Sequence, residues 1–256
     1  MTAPRLDRLS ALLQGLAPRV WLTDVPQGFA LHILVHSPSN DKPFDVSGMS
    51  LLVCPPHTSA DELAQAQREG QSRWMSFEVA LDGPVAPIFL SDFVAPVRID
   101  LASADASLAQ IVRLIAGEMS VTCCGQPLLM NRAGDILLIG LLRHLVSQPQ
   151  KTTGLFSALA NPRIAKTLVA MHTDASKPWS LEALAKEAGM SRTTYVNQFK
   201  SLMQVSPGKY LENLRLALAQ RLVSHGMGLK QVAQKTGYAS ASTLSRAMNR
   251  TAFEIA

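Results

Sequence analysis

Between Trp179 and Asn249 the chain states one short helical pattern twice, and few folds can accommodate it. The first copy reads Leu181-Glu182-Ala183-Leu184-Ala185-Lys186-Glu187-Ala188-Gly189-Met190-Ser191 and runs on into Arg192-Thr193-Thr194-Tyr195-Val196-Asn197-Gln198-Phe199-Lys200. The second reads Leu229-Lys230-Gln231-Val232-Ala233-Gln234-Lys235-Thr236-Gly237-Tyr238 and runs on into Ala239-Ser240-Ala241-Ser242-Thr243-Leu244-Ser245-Arg246-Ala247-Met248. Each copy is a short amphipathic helix with an alanine at its middle (Ala185, Ala233), a stop at glycine (Gly189, Gly237) and a restart from serine. A small alanine lets two helices cross closely, glycine supplies the positive φ of a tight turn, and serine caps the next helix. The pattern is that of a helix-turn-helix.

Charge separates this region from the rest. From Leu155 to Ala256 there are 13 Lys or Arg against 5 Asp or Glu, whereas Met1 to Gly154 carry 11 against 14. The basic half is the half that repeats, which is where a polyanion would dock. At 256 residues with 47% apolar content the chain can build two modest cores. Three cysteines, Cys54, Cys123 and Cys124, form neither a disulfide framework nor a zinc pattern. The opening Met1-Thr2-Ala3-Pro4-Arg5 has no apolar signal core, and the longest apolar run, Ile136 to Leu142, is far below the roughly 20 residues of a membrane span. A cytoplasmic protein without membrane contact is the expectation.

Leu6, Leu9, Leu12, Leu13 and Leu16 predict a short helix ended by Pro18. Six strand-sized apolar segments follow: Val20 to Leu22, Phe29 to Val35, Met49 to Val53, Trp74 to Leu81, Val85 to Leu90 and Val97 to Leu101. Turn residues such as Asp82-Gly83-Pro84 separate them, predicting an antiparallel sandwich or small barrel. Helical period returns with Leu108, Ile111, Val112 and Ile115, and again from Pro127 to Val146. The second of these helices is apolar around much of its surface, so part of it faces either its own sheet or a partner. Gln148 to Gly154 reads as a linker, Pro162 to His172 as a helix, and Lys209 to Ser224 as a helix joining the two copies. The expected organisation is residues 1–148 as one domain, 149–160 as linker and 161–256 as a second.

The duplicated region resembles the DNA-binding domain of AraC/XylS-type transcription regulators. The resemblance rests on the alanine-bearing first helix, Gly189-Met190-Ser191, Phe199-Lys200, Ser206-Pro207 with Tyr210, and Gly237-Tyr238 with Ser240, Leu244 and Arg246. It implies that the second helix of each copy enters a major groove, with successive grooves about 34 Å apart on one face of the duplex. By position Arg192, Thr193, Val196 and Asn197 of the first copy, and Ala241, Ser242, Ser245 and Arg246 of the second, face the bases. Arg is the usual guanine reader, Asn pairs with adenine, and Thr and Val methyls meet thymine. Lys200, Lys209, Lys230 and Lys235 are the expected phosphate contacts. Relatives commonly have Arg where Asn197 stands, and a Gly-x-Ser-Pro-x-x-Tyr-Arg type segment where this chain has Asn249 to Ala256. A second copy less well closed than the first is therefore expected.

Residues 1–148 look like the cupin-type sensory and dimerisation domain of this family, on the order of strands then two helices and on Leu52-Val53-Cys54-Pro55-Pro56 and Ser76-Phe77 to Pro84. The fold class expected is α+β, a cupin-like sheet domain with two appended helices followed by an all-α double helix-turn-helix. The partners implied are double-stranded DNA, a second copy through the N-terminal domain, a small-molecule effector and RNA polymerase. No cofactor and no metal are expected: a metal cupin needs a His-x-His pair with a following Glu and a distant His, whereas His32 and His36 lie four apart and His57 stands alone. Cys123-Cys124 raises a thiol-based redox or ligand-sensing alternative, although no cationic neighbour is visible to activate them. A cupin enzyme carrying a DNA module would require an acid/base or metal constellation that the strands lack. A DNA-alkylation acceptor of the Ada type would require four zinc-binding cysteines, against three here.

Overall fold

A computed structural model describes residues 7–23, 31–36, 48–59 and 75–254, with the side chains of residues 251–254 excepted. Leu6, Phe29, Ala30, Trp74 and the last two residues, Ile255 and Ala256, named in the expectations above, lie outside the described residues. The chain forms two compact units, one of Pro18–Leu81 with Leu90–Gln148, the other of Met1–Ala17, Asp82–Phe89 and Pro149–Ala256.

In the first unit, strands β1 (Pro18–Thr23), β2 (Leu31–His36), β3 (Ser50–Cys54), β4 (Met75–Leu81) and β5 (Val97–Asp100) form one antiparallel sheet in the order β1-β4-β2-β3-β5. The register sets Leu22, Phe77, Ile33, Val53 and Val97 in one cross-strand row and Trp21, Glu78, His32 and Cys54 in the next. Directly opposed residues share a face, so this sheet has an apolar side and a side carrying polar groups. Helices α3 (Ala106–Ser120) and α4 (Gln126–Ser147) follow the sheet. Helix α4 approaches β1 and β4 at Gly134, where a Cβ would lie 2.8 Å from both Phe77 Cδ1 and Val20 Cγ1. Any side chain there would push the helix off the apolar face. Gly140 gives α3 the same access: a Cβ would meet Ile111 Cδ1 at 2.9 Å.

The apolar segment Val85 to Leu90, expected as a strand, is the helix α2 (Ala86–Leu90). Pro87 lacks the N–H that a ladder needs, and a short continuous apolar run has no period to separate strand from helix.

The second unit is helical: α1 (Arg8–Leu16), α5 (Leu155–Ala160), α6 (Pro162–Thr173), α7 (Leu181–Ala188), α8 (Arg192–Met203), α9 (Pro207–Ser224), α10 (Leu229–Thr236) and α11 (Ala241–Glu254). The expected linker 149–160 is only partly extended, because Leu155, Phe156, Ala158 and Leu159 are buried in α5, and Phe156 meets Phe89 edge to face at 5.6 Å. Helix α1 packs on α6, and the Arg8 guanidinium donates to the carbonyls of Leu159 (2.8 Å) and Ala160 (3.3 Å) at the end of α5. A cation on the last carbonyls of a helix satisfies groups that have no partner within it.

Candidate nucleic-acid interface

The two turns of the repeat are sealed by the same bond. Gly189 has φ 62° and Gly237 φ 75°, both left-handed. Beyond them Met190 N–H donates to the Ala185 carbonyl and Tyr238 N–H to the Ala233 carbonyl, each at 2.9 Å. This is the six-to-one bond of a Schellman C-cap, and it explains why alanine and glycine stand four apart in both copies. The restarts also match. Ser191 Oγ accepts from Thr194 N–H at 3.2 Å and Ser240 Oγ from Thr243 N–H at 3.2 Å, so one Ser-x-x-Thr cap begins both α8 and α11. The second turn holds one more residue between glycine and serine.

Behind these turns the interiors differ. In the first copy Tyr195, Phe199 and Tyr210 pack edge to face, with centroids 5.8 and 5.7 Å apart, and His172 stacks on Tyr210. His172 Nε2 and the Tyr210 hydroxyl are 2.6 Å apart, and burial pushes the His172 pKa down to about 4. The second copy closes over Ala219, Val232, Ala233 and Leu244, flanked by half-buried Met227, Tyr238 and Met248.

Burying Tyr195 and Phe199 turns the opposite side of α8 outward, where Arg192, Thr193, Asn197 and Lys200 are exposed and Val196 is half-buried. Burying Leu244 and Ala247 does the same for α11, exposing Ser242 and Arg246 and leaving Ala241 and Ser245 half-buried. Each set shares one helix face at i, i+3 and i+4 spacing. Arg192 is paired with Glu182 of α7 at 2.9 Å, an exposed pair that contributes little stability but sets the direction of the guanidinium. Backbone hydrogen bonding first, and Arg192 second, hold the Glu182 carboxyl below its ordinary range. Arg246 Nε reaches the Ser242 carbonyl at 3.4 Å.

Lys200, Lys209, Lys230 and Lys235 are all exposed. Lys209 pairs with Glu212 at 3.5 Å. Lys235 lines a cleft of about 280 Å³ with Arg221, Leu214 and Leu218 of α9.

One residue that fixes the geometry was not singled out from sequence. Arg215 of α9 donates through Nε to the Ala175 carbonyl and through a terminal nitrogen to the Lys177 carbonyl, both at 2.7 Å. The turn of the second copy lies against the same segment, since a Cβ on Gly237 would stand 2.6 Å from the Ser176 carbonyl oxygen. A single side chain thus ties the entry of the first copy to the turn of the second. Its signal was an arginine set four residues after Leu211 within an otherwise apolar stripe. Glu212 adds a second tie, pairing with Arg250 of α11.

The remaining sequence candidates lie elsewhere. Cys123 and Cys124 are exposed between α3 and α4, and Cys54 is buried in β3. His57 is exposed and contacts the Val94 carbonyl at 3.0 Å, whereas His32 and His36 are buried on one face of β2. Among the described residues no group of three or more His, Cys, Asp or Glu could hold a metal ion, and no helix is long and apolar enough to cross a membrane.

Two helix-turn-helix units on one spacer helix, accompanied by an antiparallel-sheet unit, define a two-part architecture. Residues 184–253 match a family model described as a helix-turn-helix domain and residues 25–147 one described as a cupin. The chain thus carries a region that matches a cupin ahead of one that matches a helix-turn-helix domain. It is similar to the HTH-type transcriptional regulator AlkR of Acinetobacter baylyi, 32% identical over 127 residues, which are 49% of this chain and 42% of that protein. A putative AraC-like transcription regulator of Streptomyces antibioticus is 35% identical over 117 residues, 45% of this chain and 39% of that one. The matches thus cover about two-fifths of the length of these relatives. Among solved structures, unsaturated fatty acid bound ToxT of Vibrio cholerae aligns over 91% of this chain and 82% of its own, at 13% identity and a TM-score of 0.40.

Proposed function

We propose that the protein is a sequence-specific DNA-binding transcription regulator that acts by binding rather than catalysis. Helices α8 and α11 are its two readers, entering successive major-groove segments on one face of the duplex. The observation that carries this reading is the pair of identically sealed turns held on the one helix α9 within a single compact unit. Arg192, Thr193, Val196 and Asn197 read bases from α8, and Ser242, Ser245 and Arg246 from α11. Arg246 is the guanine reader of the second site. Lys200, Lys209, Lys230 and Lys235 contact phosphates, giving affinity that falls with salt.

The cupin unit supplies control. It binds a small-molecule effector and joins two copies through α3, α4 and the turn between them, where Leu114, Val121, Leu128, Leu129 and Ile136 are exposed. A face of that composition is the usual core of an isologous dimer interface. Its ligand shifts how the readers are presented, in a cytoplasmic regulator that also contacts RNA polymerase.

Genome-wide recovery of bound fragments tests the whole reading. A shared motif with two blocks one helical turn apart is the expected result, and fragments without a common motif would defeat it. Ile136→Glu should shift the sedimenting mass from dimer to monomer, and an unchanged mass would remove α4 from the interface.

A further inference from the structure

Helices α7 and α10 open the two copies of the repeat, and at one aligned place they carry opposite charges. With Ala185 set on Ala233 and Gly189 on Gly237, Glu182 falls on Lys230, each the second residue of its helix. The restarts set Ser191 on Ser240, so Arg192, the first residue of α8, falls on Ala241, the first of α11. The first copy therefore has Glu and Arg where the second has Lys and Ala. In the first copy these two side chains meet, at 2.9 Å. The pair is present in one copy and wholly absent from the other.

The fold has little use for it. The two side chains are 62% and 65% exposed, and an ion pair open to water contributes little stability. Both helix starts are capped without it, since Ser180 Oγ accepts from Ala183 N–H at 3.1 Å and Ser191 Oγ from Thr194 N–H at 3.2 Å. Close to DNA the carboxylate is a handicap. Phosphates repel it, and Lys230, at the same place in the second copy, is assigned above to a phosphate. A residue that opposes docking and adds little to the fold acts on what it touches, and Glu182 touches Arg192.

An arginine free to move beside a duplex is drawn to the nearest phosphate, a contact that carries no sequence information. Glu182 restrains that choice. Its carboxylate is anchored first by a backbone N–H, that of Glu182 itself at the start of α7, and second by Arg192. The guanidinium is planar and binds in a fixed fork, so a carboxylate holding one edge sets the direction of the other. We infer that Glu182 is a specificity-determining positioning residue: it keeps Arg192 off the phosphates and aimed at a base edge, lowering affinity while sharpening base preference at the first site. The second copy, with Lys230 and Ala241, has no such device. This inference rests on the reading of α8 as a base reader through Arg192.

The test uses the full chain, a recovered operator fragment with its single-base-pair variants, and a random-sequence duplex. Glu182→Gln should bind the random duplex more tightly than the parent, with a salt slope larger by about 1. Its preference at one base pair of the first site should fall by about fivefold or more. Arg192→Ala should flatten the same base pair, and the double variant should match Arg192→Ala in preference. An unchanged preference in Glu182→Gln, or an equal gain on operator and random DNA, would overturn the inference, because the carboxylate would then act only as a general charge. A double variant less discriminating than Arg192→Ala would also overturn it, since Glu182 would be reading a base by itself. Melting curves guard against a structural effect: that of Glu182→Gln should overlay the parent, and a loss of preference that comes with a lowered melting temperature would return Glu182 to the fold. Arg192→Ala separates the two failures. If it flattens a base pair that Glu182→Gln leaves intact, the role of Glu182 alone falls; if it flattens none, the assignment of Arg192 as a reader falls.

Discussion

The two helix-turn-helix copies have the same turns and different interiors. Both seal the turn onto a central alanine carbonyl and both restart on a Ser-x-x-Thr cap. The first closes over three aromatic rings and the second over small aliphatic residues with a flanking Tyr238. Backbone chemistry therefore sets the shape that presents a reader to DNA, and side-chain volume sets how firmly that shape is held. The second copy recovers part of the difference by borrowing: Arg250 pairs with Glu212, and Gly237 lies against the segment that Arg215 clamps.

The largest contrast should come from the interiors. Phe199→Ala is expected to cost about 3–5 kcal/mol and Leu244→Ala about 2–4 kcal/mol, both read by denaturant unfolding. Equal costs, or a larger one at Leu244, would break the ranking of the two copies.

Next comes readout. Arg246→Ala should weaken specific binding by about 1–3 kcal/mol and relax preference at one base pair, whereas Lys200→Ala should weaken all sequences alike and reduce the salt slope by about 1. Binding titrations at several salt concentrations separate these outcomes, and a uniform loss at Arg246 would move that residue to the phosphates.

The turns give a smaller and sharper comparison. Gly189→Ala meets nothing within 4 Å and should cost only the left-handed penalty, about 1 kcal/mol. Gly237→Ala adds a Cβ 2.6 Å from the Ser176 carbonyl oxygen and should cost distinctly more. Equal melting temperatures for the two variants would mean that the second turn does not lie on that segment.

The last contrast is one of pH and belongs to the first copy alone. Burial lowers the His172 pKa from its ordinary 6.5 to about 4. Between those values the unfolded chain binds the proton and the folded one does not, so stability present at neutral pH is lost as pH falls from about 6.5 toward about 4, then levels off. In His172→Gln that part of the acid dependence should flatten; an unchanged profile would assign it to other groups.

The repeat was legible in sequence because its signals are local. An alanine and a glycine four apart and a capping serine specify a turn wherever the chain goes. The strand-sized apolar segment ending at Val35 was likewise legible, and β2 spans Leu31–His36. What could not be read depended on distant partners. The helix at Ala86–Leu90 passed for a strand because five apolar residues show no period, and α5 passed for a linker because its burial depends on Phe89 and α1. Arg215 stands out locally only as a charge in an apolar stripe, and what it binds could not be read, since its partners are carbonyls about 40 residues earlier. The buried polar face needed the register: no spacing within β2, β3 or β4 announces that Glu78, His32 and Cys54 share a row.

The central claim is that two unequal readers occupy one face of the duplex. Hydroxyl-radical footprinting of the full chain on a recovered operator tests it most directly, with Asn197→Ala and Arg246→Ala in parallel. Two protected segments about 10–10.5 base pairs apart are expected, the first weakened by the change in α8 and the second by the change in α11. A single protected segment, or two that respond identically to both substitutions, would contradict it.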